Sequence, residues 1–352
     1  MSKKILIVGG VAGGASTAAR IRRLDEQAEV IMFEKGPHVS FSNCSLPFHL
    51  SGVVESSNRL VLMNPNSFKA KYNLDARTNS EVIRINRAEK TITVRNVLTN
   101  EEYTESYDKL VLSPGAAPIV PNVNGTTLEH VFTVRNVVDI ERLQKAIVEK
   151  DAQNIAVIGG GYIGVEVAEN LRLAGRNVTL VQSAPQILRP FDFSMAQILQ
   201  KEMMDQGIHV VVGDGLAGIT TESVILASGK QIKADIVVLA IGVRPETKLV
   251  EEAGLEIGTT GGIKVNQNYV TSDPHIYAVG DVIEVYHRLL HKPVRLALAG
   301  PAQRQARAVA DHIYGIANQN KGVIGSTSIQ VFNYAAAATG LTEEAARNAG
   351  FQ

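Results

Sequence analysis

Residues 4–14 read KILIVGGVAGG, and this stretch decides how the N-terminal part of the chain folds. The apolar run KILIV is typical of a buried parallel strand. The glycine-rich turn follows at once, residues 15–24 predict a helix, and residues 29–34 predict a second strand. The order strand, glycine turn, helix, strand is that of a dinucleotide-binding unit, in which a pyrophosphate lies on the helix N-terminus.

A carboxylate closes this first unit. Glu34 ends the second strand, where its side chain can accept hydrogen bonds from the two ribose hydroxyls of a dinucleotide. Val11 stands at the second glycine of the pattern G-x-G-x-x-G, so the glycine string alone is weak evidence. The strands and Glu34 together favour nucleotide binding over a plain tight turn.

A second copy of the same plan begins at residue 154. Residues 154–164 read NIAVIGGGYIG, a strand followed by a complete G-x-G-x-x-G. A helix is predicted over residues 165–174 and a strand over residues 177–181, which ends at Gln182 instead of an acid.

The preference between the two nicotinamide coenzymes stays open at this point. An acid at the end of the second strand selects the free 2′-hydroxyl of NAD, and glutamine does not. Arg176 and Arg189 are nearby candidates for contact with the 2′-phosphate of NADP.

Both copies continue in the same way. Each is followed by a polar hairpin region, residues 90–107 and 223–233, and then by a strand with a glycine turn, residues 109–115 and 236–242. The chain therefore contains a duplicated nucleotide-binding architecture. Two dinucleotides in one protein suggest electron transfer between them, and one of them is then expected to be a tightly held flavin.

Composition excludes several classes of function. Among the 352 residues, Lys and Arg number 35 and Asp and Glu also number 35. Zero net charge argues against nucleic-acid and membrane partners, although it leaves room for a local basic patch. No apolar run is long enough to span a bilayer or to form the core of a signal peptide, so a cytoplasmic location is expected.

The single cysteine lies in residues 39–49, which read VSFSNCSLPFH. One cysteine excludes an internal disulfide and an all-cysteine metal site, and no histidine spacing indicates a metal. Pro47 is tolerated only near a helix start, so a helix through residues 46–50 is expected to begin close to Cys44. A helix N-terminus favours the reactive thiolate. A small buried side chain without reactivity is the alternative.

The motifs of the whole chain resemble those of the flavoprotein pyridine nucleotide–disulfide oxidoreductases. Four features carry the resemblance: the first glycine turn with Glu34, the second turn, and the segments IGVRP at 241–245 and TSDPHIYAVGD at 271–281. The resemblance implies an α/β fold with two Rossmann-like domains of the glutathione reductase type, which bind FAD and NAD(P)H, and the beginning of a C-terminal α+β dimerisation domain.

Domain boundaries follow from the same resemblance. The FAD-binding domain is expected at residues 1–118 and 245–324, and the NAD(P)H-binding domain at residues 119–244. Residues 325–352 are expected to be an incomplete start of the dimerisation domain, so this chain resembles a truncated form of a homodimeric protein.

The resemblance also implies cofactor-binding residues. Those expected at FAD are Gly9, Gly10, Ala12, Gly13, Gly14, Glu34, Lys35, Ser113, Pro114, Gly115, Gly280, Asp281 and Ala299. Among them, Asp281 is expected to contact the ribityl chain. Those expected at NAD(P)H are Gly159, Gly161, Tyr162, Ile163, Gly164, Gln182 and Gly242.

Within the family, the pattern SF-x-NC-x-LP at 40–47 resembles the branch of coenzyme A-disulfide reductases and CoA-dependent persulfide reductases. That branch uses one active-site cysteine, here Cys44, which accepts electrons from NAD(P)H through FAD and reduces CoA disulfide or persulfide. The resemblance places coenzyme A at Ser16, Arg20, Arg23, Ser40, Asn43 and Lys71.

Two alternatives remain. Cys44 as a sulfenic acid would make the protein an NADH oxidase or peroxidase. The first glycine turn lacks the histidine that such relatives often carry, which favours the coenzyme A hypothesis. A non-catalytic, redox-sensing flavoprotein is the second alternative.

Overall fold

The structure is a computed structural model that describes residues 2–318 and 322–351. The strands, in chain order, are β1 Lys4–Val8, β2 Glu29–Phe33, β3 Asp75–Arg77, β4 Ser80–Asn86, β5 Thr91–Asn96, β6 Glu102–Ser106, β7 Lys109–Leu112, β8 Ala116–Pro118, β9 Val131–Thr133, β10 Asn154–Ile158, β11 Asn177–Gln182, β12 His209–Val212, β13 Leu216–Ile219, β14 Ser223–Leu226, β15 Gln231–Lys233, β16 Ile236–Leu239, β17 Val243–Pro245, β18 Ile276–Ala278, β19 Val285–His287, β20 Lys292–Val294, β21 Ser326–Val331 and β22 Tyr334–Thr339.

The helices are α1 Ala12–Leu24, α2 Pro47–Leu50, α3 Pro65–Tyr72, α4 Val137–Glu149, α5 Tyr162–Leu173, α6 Phe193–Asp205, α7 Lys248–Glu252, α8 Ala299–Ile313 and α9 Glu343–Asn348. Short 3-10 turns lie at Asn43–Ser45 and Ser57–Leu60.

The chain forms two compact units. Unit 1 comprises Met1–Phe41, Val61–Ala117 and Arg244–Val323, and unit 2 comprises Ser42–Leu60, Pro118–Val243 and Ile324–Gln352. The boundaries near residues 117 and 244 lie within one residue of those expected for the nucleotide domains. The cysteine-bearing segment Ser42–Leu60 groups with unit 2, although the sequence placed it in the FAD-binding domain. Its attachment is direct, because Ser51 Oγ donates to Asn170 Oδ1 on α5 at 2.6 Å.

Unit 1 is built on a five-stranded parallel sheet with the order β18-β7-β1-β2-β3. Ile5, Leu6 and Ile7 of the central strand β1 are completely buried. A strand covered on both faces needs apolar side chains in both directions, which explains the continuous apolar run. A three-stranded antiparallel sheet, β4-β5-β6, accompanies it.

Unit 2 repeats this plan. Its parallel sheet has the order β12-β11-β10-β16-β9, and its antiparallel sheet is β13-β14-β15. The hairpin β21–β22 also belongs to unit 2, where Glu169 of α5 accepts a hydrogen bond from the backbone N–H of Phe332 at 2.9 Å. The α/β class with two Rossmann-like sheets is confirmed, whereas a dimerisation domain beginning near residue 325 stays a prediction.

Candidate functional site

The first glycine turn joins the end of β1 to the start of α1. Gly9 has φ +97°, and a Cβ added there would lie 2.0 Å from the backbone oxygen of Ser113. A Cβ added to Gly14 would lie 1.8 Å from the backbone oxygen of Gly9. Only glycine lets the helix begin this close to the strand, so the turn has the tight geometry that a pyrophosphate cradle requires.

Glu34 lies directly beside this turn. Its Oε2 accepts a hydrogen bond from Gly10 N at 2.9 Å, and its Oε1 accepts one from Gly36 N, also at 2.9 Å. Two backbone donors therefore fix the carboxylate at the end of β2. Each oxygen keeps a lone pair that can accept a ribose hydroxyl.

The other candidate FAD residues of unit 1 gather at the same edge of the sheet. The turn after β1, Glu34 after β2, Ser113 after β7 and Gly280 after β18 all follow the carboxyl ends of parallel strands, where ligands of open α/β sheets bind. A Cβ added to Gly13 would lie 2.3 Å from Ser113 Oγ. Gly280 is buried, and its N–H donates to Gln305 Oε1 at 2.8 Å.

The remaining FAD candidates adjoin these residues or element ends. Pro114 and Gly115 continue the loop of Ser113, Asp281 follows Gly280, and Ala12 and Ala299 are the first residues of α1 and α8. Lys35 is exposed and forms an ion pair with Glu246, Nζ to Oε1 2.8 Å. Its ammonium is therefore neutralised by a protein carboxylate.

The second turn has the same close backbone approach and the same kind of hydrogen bond as the first. Gly159 has φ +114°, and a Cβ added to Gly164 would lie 1.8 Å from the backbone oxygen of Gly159. Gly160 N donates to Gln182 Oε1 at 3.0 Å, as Gly10 N donates to Glu34. The duplication seen in the sequence is therefore a duplication of hydrogen-bond geometry. Gly161, Tyr162, Ile163 and Gly242 lie in the same turn, at the start of α5 or after β16.

The backbone angles of the two turns show that valine is tolerated at the position of the second glycine. Val11 has φ −108°, and its counterpart Gly161 has φ −80°, so neither backbone needs the left-handed region. Both residues are the N-caps of their helices. The departure from the usual pattern therefore does not alter the local fold.

Gln182 decides the electrostatics of the second turn. Its amide oxygen accepts a hydrogen bond from Gly160 N. Because the glutamine side chain is neutral, no carboxylate stands at the position expected for a coenzyme ribose. Arg189 is exposed after the carboxyl end of β11. Arg176 precedes β11, so it lies at the opposite end of the strand, where it donates to the carbonyl of Ala152 at 3.1 Å. The candidacy of Arg176 as a phosphate partner is therefore wrong.

Cys44 is exposed in the middle of the 3-10 turn Asn43–Ser45. This exposure contradicts the alternative that Cys44 is a buried side chain. The predicted helix also differs, since α2 begins at Pro47 and has only four residues. One helical turn carries a small dipole, so among the features that favour a reactive thiolate the structure shows exposure and not a long helix.

A cleft of about 280 Å³ in unit 1 brings together four of the candidate coenzyme A residues. Ser16, Arg20 and Arg23 line it from one face of α1, and Ser40 lines it from the loop after β2. Ser40 has φ +50°, a conformation shared by Leu188 at the matching point after the second turn. Its backbone N–H donates to the carbonyl of Gly10 at 2.8 Å, which ties the cleft to the nucleotide turn.

The two arginines of α1 in this cleft differ in their electrostatic partners. Arg20 pairs with Asp311 of α8, with one guanidinium nitrogen 2.7 Å from Oδ1. Arg23 is exposed, and its guanidinium carbon lies 5.8 Å from the centroid of the Tyr72 ring. Such a distance permits a cation–π contact.

Two candidates lie outside this cleft lining. Lys71 is exposed, with its Nζ 5.5 Å from the Tyr72 ring centroid, and Asn43 is exposed beside Cys44 in unit 2. The sequence missed Tyr72, Gln303 and Arg307, which also line the cleft. The i, i+4 spacing of Gln303 and Arg307 predicts that they share one helix face, and the sequence contains no further signal for them.

Two dinucleotide-binding turns and one exposed thiol define a two-nucleotide oxidoreductase. The chain belongs to the pyridine nucleotide-disulphide oxidoreductase family, whose sequence profile matches residues 3–306. The residues of the two turns fit FAD and NAD(P)H, the cofactors of this family, and the cofactor prediction is confirmed.

One curated relative and two solved structures are similar to this chain over nearly its whole length. The chain is 36% identical to a coenzyme A disulfide reductase of Staphylococcus haemolyticus over 97% of this chain and 77% of that protein. It is 46% identical to the structure of reduced Bacillus anthracis CoADR-RHD, with a TM-score of 0.98, over 100% of this chain and 64% of that one. For the NAD-dependent persulfide reductase from A. fulgidus, the identity is 32% and the TM-score 0.95, over 99% of this chain and 66% of that one.

The chain thus spans slightly less than two thirds of the length of these two solved structures. Within residues 2–318 and 322–351, no helix is long and apolar enough to cross a membrane. The same residues contain no group of three or more His, Cys, Asp or Glu side chains arranged to hold a metal ion.

Proposed function

We propose that this protein uses NAD(P)H, through FAD, to reduce coenzyme A disulfide or a coenzyme A persulfide at Cys44. The observation that carries the proposal is the cleft of unit 1, in which Ser16, Arg20, Arg23 and Ser40 converge. Three arginines line this cleft, and none of its lining residues is acidic. In a chain with zero net charge, such a local excess of positive charge suits the phosphates of a nucleotide.

Covalent connectivity links the cleft to the thiol. Ser40 precedes Cys44 by four residues, and four residues of extended chain span at most about 14 Å. Coenzyme A carries its thiol on a long flexible arm, so a nucleotide held in the cleft supports delivery of its sulfur to Cys44.

Cys44 supplies the chemistry of the chain itself. Its thiolate attacks one sulfur of the CoA disulfide, the S–S bond breaks, and one CoA thiolate leaves while a mixed disulfide forms. When bound, FAD supplies two-electron transfer from NAD(P)H to a disulfide. Two electrons and the required protons then return Cys44 to the thiolate and release the second CoA thiol. With a CoA persulfide, the Cys44 thiolate attacks the outer sulfur and CoA thiolate leaves; the same two electrons, with protons, then return Cys44 to the thiolate and release that sulfur as sulfide.

The test replaces Cys44 by serine in the FAD-loaded protein. NAD(P)H oxidation is measured with CoA disulfide, CoA persulfide and hydrogen peroxide, and Ser45→Ala serves as the matched neighbour control. We expect Cys44→Ser to lose turnover with the CoA substrates and Ser45→Ala to keep it. Retained turnover in Cys44→Ser would contradict the role of this thiol.

Mass spectrometry of the untreated protein distinguishes the two thiol chemistries. A coenzyme A-sized adduct on Cys44 supports the proposed function, and a single added oxygen supports a peroxidase or oxidase. We also propose that the protein is a homodimer, which analytical ultracentrifugation tests.

A further inference from the structure

The cleft of unit 1 contains one cation that the predicted site does not use. Arg307, on α8, lines the cleft and is exposed. No ion pair of Arg307 occurs among the residues that the structure describes. Its helix face also bears Gln303, one turn earlier, so a second polar side chain accompanies it.

Two contacts fix the relative direction of α1 and α8. Arg20 of α1 pairs with Asp311 of α8, and Asp25, just after α1, accepts a hydrogen bond from the hydroxyl of Tyr314, just after α8, at 2.9 Å. In both helices the second contact lies a few residues after the first. The two helices therefore run in the same direction.

This direction places the arginines along the cleft. Arg307 is four residues before Asp311, and Ser16 is four residues before Arg20, so Arg307 lies about level with Ser16. Arg23 lies at the other end of this helix face, beside Tyr72. Seven residues separate Ser16 from Arg23, or about 10 Å along the helix axis. The cleft therefore has two cationic positions about 10 Å apart.

The central arginine is less able to meet a phosphate than the other two. Arg20 is neutralised by Asp311, which is itself almost completely buried. Helical side chains lean toward the N-terminus, so Arg307 leans toward Gln303 and away from Asp311. Arg307 thus keeps its full donor capacity at the end of the cleft nearer Ser16.

We propose that Arg307 is a further substrate-binding residue that holds the diphosphate of coenzyme A, whereas Arg23 holds the 3′-phosphate beside the base at Tyr72. This assignment rests on the proposed function. The diphosphate lies between the base and the thiol-bearing arm, so it matches the position nearer Ser16 and Ser40. A guanidinium pairs with phosphate oxygens through two parallel N–H donors, which suits this role.

The experiment compares three disulfide substrates that lose phosphates stepwise. CoA disulfide carries both the diphosphate and the 3′-phosphate, dephospho-CoA disulfide lacks the 3′-phosphate, and pantethine lacks both. We expect Arg307→Gln to raise KM about 10- to 100-fold for the first two and to leave pantethine unchanged, since a charged hydrogen bond is lost. Arg23→Gln should raise KM for CoA disulfide alone. Arg84→Gln, an exposed arginine of β4 away from the cleft, is the charge-matched control.

Three outcomes would overturn the assignment: an unchanged KM in Arg307→Gln, an effect confined to CoA disulfide, or an equal effect on pantethine. Calorimetric titration of the FAD-loaded wild type and Arg307→Gln with reduced coenzyme A and dephospho-CoA separates this inference from the proposed function. Wild-type binding without turnover contradicts the proposed function, and equal binding by both proteins contradicts only the role of Arg307. A wild type that binds neither ligand contradicts both.

Discussion

Glu166 of α5 is a carboxyl group whose ionisation should oppose folding. It lines a cleft of about 320 Å³ with Ser328–Gln330 and Ala335–Ala337 of the hairpin β21–β22. Burial, with a smaller contribution from the nearby charge of Glu169, raises its pKa to about 7. We expect Glu166→Gln to stabilise the protein at alkaline pH.

The sign follows from the linkage between protonation and folding. The ordinary pKa of 4.5 applies to the unfolded chain, and the folded value is about 7. The destabilisation is therefore absent below about pH 4.5, grows as the pH rises to 7, and is complete above it. A shift of this size corresponds to at most about 3 kcal/mol. Because the carboxyl is only partly buried, solvent screening reduces the expected gain to about 1–2 kcal/mol at pH 8.

The assay is urea unfolding followed by far-ultraviolet circular dichroism at pH 5 and pH 8. Glu166→Gln should have a higher urea midpoint than the wild type at pH 8 and nearly the same midpoint at pH 5. Glu222→Gln, an exposed carboxylate of unit 2, is the matched control. An equal change at both pH values would refute the reasoning, because it would show a packing effect instead of an ionisation effect.

Four further substitutions test the architecture and the coenzyme site. Arg22 donates to five backbone carbonyls around the ends of α1 and α3, so Arg22→Gln should lower the free energy of unfolding of the FAD-loaded protein by about 2–4 kcal/mol, measured with urea. An added Cβ at Gly14 would lie 1.8 Å from a backbone oxygen, so Gly14→Ala should purify with little flavin, measured by absorbance. Gly164→Ala meets the same clash in the second turn and should retain flavin while weakening NAD(P)H binding at least tenfold, which coenzyme titration measures; equal loss of both nucleotides would contradict separate sites. Gln182→Glu places a carboxylate beside the coenzyme ribose and should raise KM for NADPH at least tenfold relative to NADH; an unchanged ratio would show that Gln182 does not contact that ribose.

The sequence alone determined the class of the fold and the two nucleotide turns. Glycine at positions 9 and 14, and again at 159 and 164, is required by local backbone geometry, and local requirements are visible in local sequence. The buried runs of β1 and β10 predict parallel strands for the same reason, since a strand covered on both faces cannot alternate. The count of one cysteine likewise excluded a dithiol without any knowledge of the fold.

The arrangement of the charged side chains was decided only by tertiary structure. Arg20 and Asp311 are 291 residues apart, and nothing near either residue predicts their ion pair. Arg307 and Ser16 become neighbours along one cleft only because α1 and α8 pack in the same direction. Arg176 is close to Gln182 in sequence, but β11 begins just after Arg176 and ends at Gln182, so the two residues lie at opposite ends of the strand. Charge partners depend on contacts across the fold, whereas glycine turns depend on a few consecutive dihedral angles, and for that reason the turns could be predicted and the cleft could not.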